Sequence, residues 1–423
     1  MRFLYNLTTY LLALPYLLYW GIRVLVNANY RPKIAQRFGF GFPRLDRCIW
    51  IHAVSVGEVV AAAPLVRALL RRYPHMQMLV TTVTPTGAAR VNALFGDAVV
   101  HSYIPFEAPI AINRFFRDIN PAIALIMETE IWPNLYRGCG VRNIPLVLVS
   151  ARISPRSVHS YRRFLPLFRE TLSHGIVIAA QSEADAERFL SLAANPRRTR
   201  VTGNIKYDIE LPDDLAERGR ELRRDTFNGR PVWVAASTHD GEESLVLDAH
   251  SALRREFSDL LLVLVPRHPE RFSGVREQLE RRGIAYVQRT SRRPCEGDTS
   301  VFLGDTMGEV VTFYAAADIA FVGGSLVPVG GHNLLEPAAV GIPIVTGPHV
   351  FNAQEIANHF IEQSACVLVQ DSESLCEAIA ELLRDRDRAR RLGSNAKQIL
   401  ENNRGALGRL LELIEPLIDG QTY

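Results

Sequence analysis

Lysine is scarce in this chain, and neither sign of charge dominates. The 423 residues carry a formal net charge of only +3, and the lysines are Lys33, Lys206 and Lys397. Almost all of the positive charge is therefore arginine. A near-neutral balance excludes a strongly basic nucleic-acid-binding protein, so we expect no nucleic-acid partner.

Cysteine is sparse as well. The five cysteines show no C-x-x-C spacing. An odd, scattered set in a long chain excludes a disulfide framework and indicates reduced thiols in a cytoplasmic protein. Hydrophobic residues make up 48% of the chain and charged residues 22%, which excludes a disordered polypeptide.

Charged residues are missing from the N-terminal stretch of the chain. No charged residue lies between Phe3 and Ile22, and a bilayer-spanning helix needs roughly 20 residues. Basic residues follow the run, which places the bulk of the protein on the cytoplasmic side. We predict a membrane anchor over residues 1–27 that spans the bilayer or lies in its interface. A buried core helix is one alternative, since Asn6, Thr8 and Pro15 interrupt the apolar pattern. A cleaved signal peptide is the other.

The rest of the chain alternates short β-branched runs with amphipathic segments. Such apolar strands, separated by helices, predict parallel sheets covered on both faces. We expect an α/β fold of two facing, doubly wound domains at residues 28–210 and 231–423, with a polar linker at 211–230. The predicted strands are Ile49–Ser55, Met78–Val83, Val99–Ile104, Ala122–Met127, Leu146–Ser150, Ile176–Ala180, Arg200–Thr202, Val232–Ala236, Leu260–Val265, Ile284–Gln288, Val301–Leu303, Ile319–Gly323, Ile342–Thr346 and Cys366–Val369.

Glu58 follows the first predicted strand, at the strand end where such folds bind ligands. A carboxylate there can accept a proton from a substrate hydroxyl. The structural alternative is a capping box, in which Ser55 and Glu58 satisfy the first backbone groups of a helix.

Two more carboxylates, Glu128 and Glu130, end the strand in "LIMETEIWPNL". Residues two apart on a strand share a face, and neighbouring carboxylates raise each other's pKa. One of them is therefore expected to hold a proton near neutral pH, unless Glu130 only caps the next helix. Lys206 in "VTGNIKYD" is a candidate cation for a carboxylate or phosphate, with an ordinary surface lysine as the alternative.

A glycine-rich segment, "FVGGSLVPVGGHNLLEPA", lies in the second half. Backbone amides of Gly323–Gly324 and Gly330–Gly331, followed by a helix, predict an anion site for a nucleotide phosphate. Glu336 at the start of that helix is a candidate partner for ribose hydroxyls. The segment fits neither G-x-G-x-x-G nor G-x-x-x-x-G-K-[ST], which disfavours a dinucleotide dehydrogenase and excludes a P-loop ATPase.

Taken in order, the motifs resemble the 3-deoxy-D-manno-octulosonic acid (Kdo) transferases. They are "HAVSVGE", "TTVTPTGAARV", "METEIWPNL", "ARISPRS", "VTGNIKYD", "STHDGEE", "LVPRHPERF", "GDTMGE" and "FVGGSLVPVGGHNLLEPA". The resemblance implies a metal-independent, inverting GT-B glycosyltransferase without a cofactor. It would move Kdo from CMP-Kdo to a lipid A precursor, lipid IVA, at the cytoplasmic face of the bacterial inner membrane.

The resemblance also implies roles for particular residues. Glu58 matches the general base, and Glu128 and Lys206 match groups that stabilise the transition state. The segments matching CMP contacts are Pro266–Arg267, Met307–Gly308–Glu309 and Asn333–Leu334–Leu335–Glu336. A further set is expected to meet the phosphates of the acceptor or an anionic leaflet, unless it is solvated surface: Arg31, Lys33, Arg37, Arg152, Arg156, Arg162 and Arg163.

Two other functional classes stay open at this stage. One is a different GT-B enzyme of the cell envelope, such as a nucleotide-sugar epimerase or a lipid A disaccharide synthase. The other is a membrane-anchored binding module without catalysis.

Overall fold

The computed structural model describes residues 1–27, 30–172 and 175–420. Each predicted strand overlaps one observed strand. The observed strands are β1 Leu45–His52, β2 Met78–Thr82, β3 Val100–Tyr103, β4 Ile119–Met127, β5 Leu146–Ala151, β6 Val177–Ala180, β7 Thr199–Val201, β8 Val232–Thr238, β9 Leu261–Pro266, β10 Tyr286–Gln288, β11 Val301–Leu303, β12 Ile319–Val322, β13 Ile344–Thr346 and β14 Cys366–Leu368.

The strands form two seven-stranded sheets, with the orders β3-β2-β1-β4-β5-β6-β7 and β10-β11-β9-β8-β12-β13-β14. Every neighbouring pair in them is parallel. The predicted fold class, two doubly wound parallel sheets, is confirmed. The strand order reverses between β1 and β4 and again between β8 and β12, and ligands of such sheets bind outside the carboxyl ends at that reversal.

Helices connect the strands. The α-helices are α1 Arg2–Leu11, α2 Ala13–Val26, α3 Val56–Arg72, α4 Pro85–Phe95, α5 Pro109–Asp118, α6 Pro133–Gly140, α7 Pro155–Arg162, α8 Leu165–Leu172, α9 Glu183–Ser191, α10 Leu215–Glu221, α11 Glu242–Leu253, α12 Phe272–Arg281, α13 Val310–Ala315, α14 Leu335–Val340, α15 Gln354–Glu362, α16 Ser372–Arg384, α17 Arg386–Asn403 and α18 Ala406–Ile418. Short 3₁₀ turns occur at Ile34–Phe38, Gly96–Ala98, Pro196–Arg198, Ile205–Tyr207, Pro269–Arg271 and Arg289–Ser291, and a π turn at Leu222–Thr226.

Each sheet is buried on both faces because its strands are almost continuously apolar. Trp50 on β1 and Trp233 on β8 are fully buried, and each packs in a hydrophobic cluster on one face of its sheet. A second cluster covers the opposite face in both cases. The strands are therefore rigid supports for the loops at their carboxyl ends.

The chain divides into two compact units, and the first is discontinuous. It contains residues 1–208 together with the segment that begins at Asn403, whereas the second runs from Ile209 to Asn402. The division differs from the predicted C-terminal domain at 231–423, whose last residues, 421–423, lie outside the described part. Leu410 and Ile414 of α18 are buried in the core of the first unit. The carboxylate of Asp208 also accepts the Gly405 and Leu407 amides, at 2.6 and 2.5 Å.

The segment predicted as a linker, residues 211–230, is folded onto the second unit. Leu215 on α10 is buried, and Leu222 and Phe227 belong to a core cluster of that unit. Residues 211–230 therefore have an apolar face packed on the core as well as a polar face, and the composition of the segment alone does not show this. The predicted start of the N-terminal domain, residue 28, lies outside the described residues.

The uncharged N-terminal run is helical, with a break at Leu12 between α1 and α2. Together α1 and α2 form one helical segment, Arg2–Val26, which we call the N-terminal helix. It is the one segment in the described part of the chain that is long and apolar enough to cross a membrane. Only 11% of its most apolar stretch is buried. That exposure argues against a core helix.

Candidate active site

Glu58 lies in the first turn of α3, just beyond the carboxyl end of β1. One of its carboxylate oxygens, Oε2, accepts a hydrogen bond from the Val54 amide at 2.8 Å. Ser55 begins the helix without a side-chain capping bond. The capping box that the sequence suggested is therefore not formed, and Glu58 turns back towards the strand end instead.

Burial raises the pKa of Glu58 to about 7, and the nearby carboxylates of Glu128 and Glu130 act in the same direction. The Val54 amide and the Lys206 ammonium oppose the rise. A carboxylate with a pKa near 7 is poised to take up and release a proton at neutral pH.

Glu128 lies at the end of β4, where the sheet order reverses. The strand stops at Met127, and Glu128 adopts a left-handed backbone conformation with φ of 55°. Its Oε1 is 2.7 Å from Lys206 Nζ, and its Oε2 is 3.0 Å from Arg152 Nε. One carboxylate thus holds two cations from two other loops.

Burial alone would raise the pKa of Glu128, but the charges of Lys206 and Arg152 outweigh it and hold the pKa below its usual value. Burial raises the pKa of Glu130, whose Oε2 accepts the Trp132 indole N–H at 2.7 Å. The expectation that Glu128 and Glu130 share a strand face is wrong, because the strand ends before both. The pKa values of Glu128 and Glu130 therefore shift in opposite directions, because the charges of Lys206 and Arg152 lower the first and burial raises the second.

Local hydrogen bonds position Lys206. It lies in the 3₁₀ turn Ile205–Tyr207, where its own amide donates to Asn204 Oδ1 at 3.0 Å. The Ile205 amide donates to Ser150 Oγ at 3.3 Å, which ties the turn to the end of β5. Lys206 is therefore a paired, half-buried cation rather than an ordinary surface lysine.

In the second unit, the glycine-rich segment does not present the amides that the sequence suggested. Gly324, Ser325 and Leu326 donate to the carboxylate of Glu242 at 2.6, 3.0 and 2.9 Å. The Gly323 amide donates to Ala236 O, and those of Gly330 and Gly331 donate to Gly324 O. The expected phosphate site on these glycine amides is therefore wrong, because a buried carboxylate of the protein takes the place of the anion.

The remaining predicted donor-binding residues lie at strand ends and helix starts of the same unit. Pro266 ends β9 and is buried, and the Arg267 amide donates to Thr238 O at 3.0 Å. Met307 is exposed, Gly308 has φ of 82°, and Glu309 pairs with Arg289 at 2.8 Å. Three further members of the set are Asn333, Leu334 and Leu335, which lead into α14.

Glu336 lies in the first turn of α14. Its Oε1 accepts the Asn333 side-chain amide at 3.2 Å. Burial raises the pKa of Glu336, opposed by that hydrogen bond and by the charge of Arg267. The charge of Arg267 thus acts on the Glu336 carboxylate.

Three imidazoles lie beside Arg267. His239 Nε2 and His332 Nε2 are 2.7 Å apart, and their rings stack with centroids 5.0 Å apart. The His268 ring lies 5.3 Å from that of His239. Burial, followed by the charge of Arg267, lowers the pKa of His332 to about 3. The sequence pattern points to His268, which lies with Arg267 at the end of a strand, but not to His239 or His332.

Comparison with known proteins identifies the family. A model of Kdo transferases matches residues 32–209, and a model of group 1 glycosyl transferases matches residues 288–399. The 3-deoxy-D-manno-octulosonic acid transferase of Haemophilus influenzae is 42% identical over 424 residues, covering 99% of both chains. That of Bordetella pertussis is 36% identical and covers 87% of this chain and 86% of its own.

The chain belongs to the Kdo transferase family. It is a glycosyltransferase that transfers Kdo, as the sequence resemblance implied. Among solved structures, the UDP-GlcNAc 2-epimerase of Neisseria meningitidis bound to UDP-GlcNAc matches with a TM-score of 0.50 and 14% identity, over 86% of this chain and 99% of that one. At that identity the likeness shows the GT-B fold alone.

The sequence does not predict the partners of Arg152 and Glu242. Arg152 belongs to the arginines expected to meet the acceptor, but it pairs with Glu128. Glu242 was not chosen, although it follows a strand and a turn in "STHDGEE" as Glu58 does in its own unit. Arg37, also grouped with the acceptor arginines, is buried between the rings of Trp20 and Tyr103.

We expect Glu242→Gln to loosen the glycine-rich segment of this Kdo transferase. A glutamine carries one acceptor oxygen and an N–H₂ group that opposes the amides of Gly324, Ser325 or Leu326. Loss of one hydrogen bond to a charged group costs about 1.5–3 kcal/mol in the free energy of unfolding. Denaturant unfolding measures that loss, and amide hydrogen exchange at residues 324–326 should accelerate.

Glu270→Gln is the matched control, because Glu270 is exposed in the same unit. Equal unfolding free energies for the Glu242→Gln protein and the wild type would contradict the anchoring role of Glu242.

Proposed function

We propose that the chain transfers Kdo from CMP-Kdo to a lipid A precursor, lipid IVA, with inversion at the anomeric carbon, in the synthesis of the lipopolysaccharide core. One observation carries the mechanism. In a member of this family, a carboxylate with a pKa near 7, Glu58, lies near a second carboxylate, Glu128, that is paired with two cations.

Glu58 is the general base of the proposed reaction. Its carboxylate takes the proton of the acceptor hydroxyl as that oxygen bonds to the anomeric carbon. The bond from the anomeric carbon to the phosphate oxygen breaks at the same time, and CMP leaves with the bonding electrons. A single displacement inverts the configuration and needs no covalent sugar intermediate.

Glu128 and Lys206 stabilise the transition state in this proposal. Glu128 stays ionised and holds the Lys206 ammonium in place at 2.7 Å. An ammonium has three donors, and one bond to Glu128 leaves two for a ligand. Kdo carries a carboxylate and the leaving CMP a phosphate, so either anion is a suitable partner. A cation fixed before the reaction stabilises developing negative charge without reorganisation.

The donor nucleotide is assigned to the second unit. Glu336 is a hydrogen-bond acceptor suited to ribose hydroxyls, and the guanidinium of Arg267 is suited to the phosphate. We propose that Arg267 balances the single phosphate of CMP, so that the reaction requires no metal. Pro266, Met307, Gly308, Glu309, Asn333, Leu334 and Leu335 complete the proposed CMP-binding set.

The acceptor is a lipid, and the proposed location is the cytoplasmic side of the bacterial inner membrane. The N-terminal helix supports this, because its large apolar residues are mostly exposed, including Leu11 at 69% and Leu25 at 81%. Arg156, Arg162 and Arg163 on and beside α7 are exposed in the same unit. These arginines are suited to the phosphates of the acceptor or of anionic lipids.

Mass spectrometry of the products tests the proposed reaction directly. Full-length protein in lipid vesicles is incubated with CMP-Kdo and lipid IVA. We expect the acceptor to gain the mass of one or more Kdo residues, with release of CMP. Conversion of a UDP-sugar instead, with CMP-Kdo left intact, would favour the alternative of an epimerase or a lipid A disaccharide synthase. Bound CMP-Kdo without turnover would favour a binding module.

We expect Glu58→Gln to lower kcat by about 10²–10⁴-fold, the usual contribution of a general base. The substitution keeps an acceptor for the Val54 amide but removes the proton acceptor, so the melting temperature and the affinity for CMP should stay close to wild type. Ser55→Ala is the control, because Ser55 makes no side-chain capping bond. Turnover of Glu58→Gln within threefold of wild type would rule out Glu58 as the base.

The same assignment fixes the direction of the pH dependence. The base acts only when ionised, so the rate should rise with pH and level off above about 7, the pKa of Glu58. The contribution of Glu58 to the free energy of unfolding changes in the opposite direction with pH. A carboxyl whose pKa is raised on folding stabilises the folded protein when it is protonated. That contribution is present below the ordinary pKa and is lost as the pH rises through about 7.

Glu336→Gln tests the nucleotide site. Loss of the charged acceptor should weaken CMP binding by about 1.5–3 kcal/mol, measured by titration calorimetry. Glu362→Gln, an exposed substitution in the same unit, should leave the affinity unchanged. An unchanged CMP affinity for Glu336→Gln would show that the ribose is held elsewhere.

A further inference from the structure

Tyr5 and Tyr16 of the N-terminal helix contact the rest of the first unit. Tyr5 Oη donates to Glu107 Oε2 at 3.0 Å. Tyr16 stacks on Phe106, the neighbour of Glu107, with ring centroids 4.3 Å apart and an interplanar angle of 27°. The two contacts bring both halves of the helix, α1 and α2, onto the short segment that carries Phe106 and Glu107.

Glu107 is almost completely buried, with 6% of its surface exposed. Besides the Tyr5 hydroxyl, its carboxylate accepts the Asn134 amide at 2.9 Å and the Leu135 amide at 2.8 Å. Its backbone oxygen accepts the Asn134 side-chain amide at 2.8 Å. Asn134 and Leu135 lie in the first turn of α6, where backbone amides need acceptors and a carboxylate is favoured by the helix dipole.

Helix α6 in turn fixes the loop that carries the site carboxylates. Tyr136 Oη donates to the backbone oxygen of Glu130 at 2.6 Å. Trp132, which precedes the helix, donates its indole N–H to the Glu130 carboxylate at 2.7 Å. Glu128 lies two residues further back, paired with Lys206. A displacement of the start of α6 therefore reaches Glu130 through the hydrogen bonds of Trp132 and Tyr136. It reaches Glu128 through the backbone between the two glutamates.

We propose that Glu107 is a positioning residue that couples the exposed apolar N-terminal helix to the loop bearing Glu128 and Glu130. Its one carboxylate is shared between Tyr5 on that helix and the first turn of α6. The position of the N-terminal helix on the first unit thereby sets the orientation of Glu128 and Glu130. Binding of the helix to lipid and the rate of Kdo transfer are linked in this way. The kinetic part of this inference rests on the proposed function, and the structural part does not.

The test uses full-length protein in lipid vesicles. Tyr5→Phe removes the hydroxyl that donates to Glu107 and leaves the ring in place. We expect kcat for Kdo transfer to fall about tenfold, the loss of roughly one hydrogen bond, while the affinity for CMP stays unchanged. Amide hydrogen exchange of residues 130–136 should accelerate, whereas exchange in the second unit should not change.

Tyr10→Phe is the matched control, because Tyr10 lies on the same helix with 50% of its surface exposed. It should leave both the rate and the exchange at wild-type values. Glu107→Gln should reproduce the effects of Tyr5→Phe more strongly, since its N–H₂ group opposes an amide of α6. Vesicle flotation should be the same for all variants.

Some outcomes would overturn the proposal. One is a Tyr5→Phe protein with kcat within twofold of wild type and unchanged exchange at residues 130–136. Another is an equal loss of activity in Tyr10→Phe, which would show that the helix acts through membrane binding alone. Failure of the proposed function is distinguishable, because the wild type would then form no Kdo product while the exchange measurement would still test the coupling.

Discussion

The ion pairs of Glu128 with Lys206 and Arg152 are the interactions on which the site depends. Buried carboxylates need partners, and at this edge of the first sheet Glu128 takes both cations. Glu58 nearby is left with one backbone amide, so burial raises its pKa to about 7. Unequal sharing of charge thus produces one carboxylate that stays ionised and another that exchanges its proton, from residues of the same type.

The sequence predicts more of the fold than of the site, because the fold follows from local patterns and the site depends on distant partners. Apolar runs and the turns between them are local patterns, and they specify the strands from Leu45–His52 to Cys366–Leu368 to within a few residues. Strand ends in doubly wound sheets carry ligands as a general rule, so Glu58 and Glu128 could be chosen from their positions alone. Resemblance to a family then supplied the remaining candidates.

Partners that are distant in the sequence could not be predicted in this way. Arg152 is 24 residues from Glu128 in the sequence. Glu242 is 82 residues from Gly324, whose amide donates a hydrogen bond to the Glu242 carboxylate. A glycine-rich turn before a helix has the same pattern whether its amides face a phosphate or a carboxylate of the protein. Likewise, the periodicity of α18 predicts an amphipathic helix but does not say which of the two cores it completes.

That last helix has a consequence for how the protein is made. Because residues 1–208 and the segment from Asn403 form one unit, the chain passes from the first unit to the second and back again. During synthesis, the core that surrounds the proposed base lacks Leu410 and Ile414 until the whole second unit has left the ribosome. The unit that contains Glu58 is therefore the last to be completed, although its sequence comes first. A chain truncated before Leu410 would lack part of the core against which the helix carrying Glu58 packs.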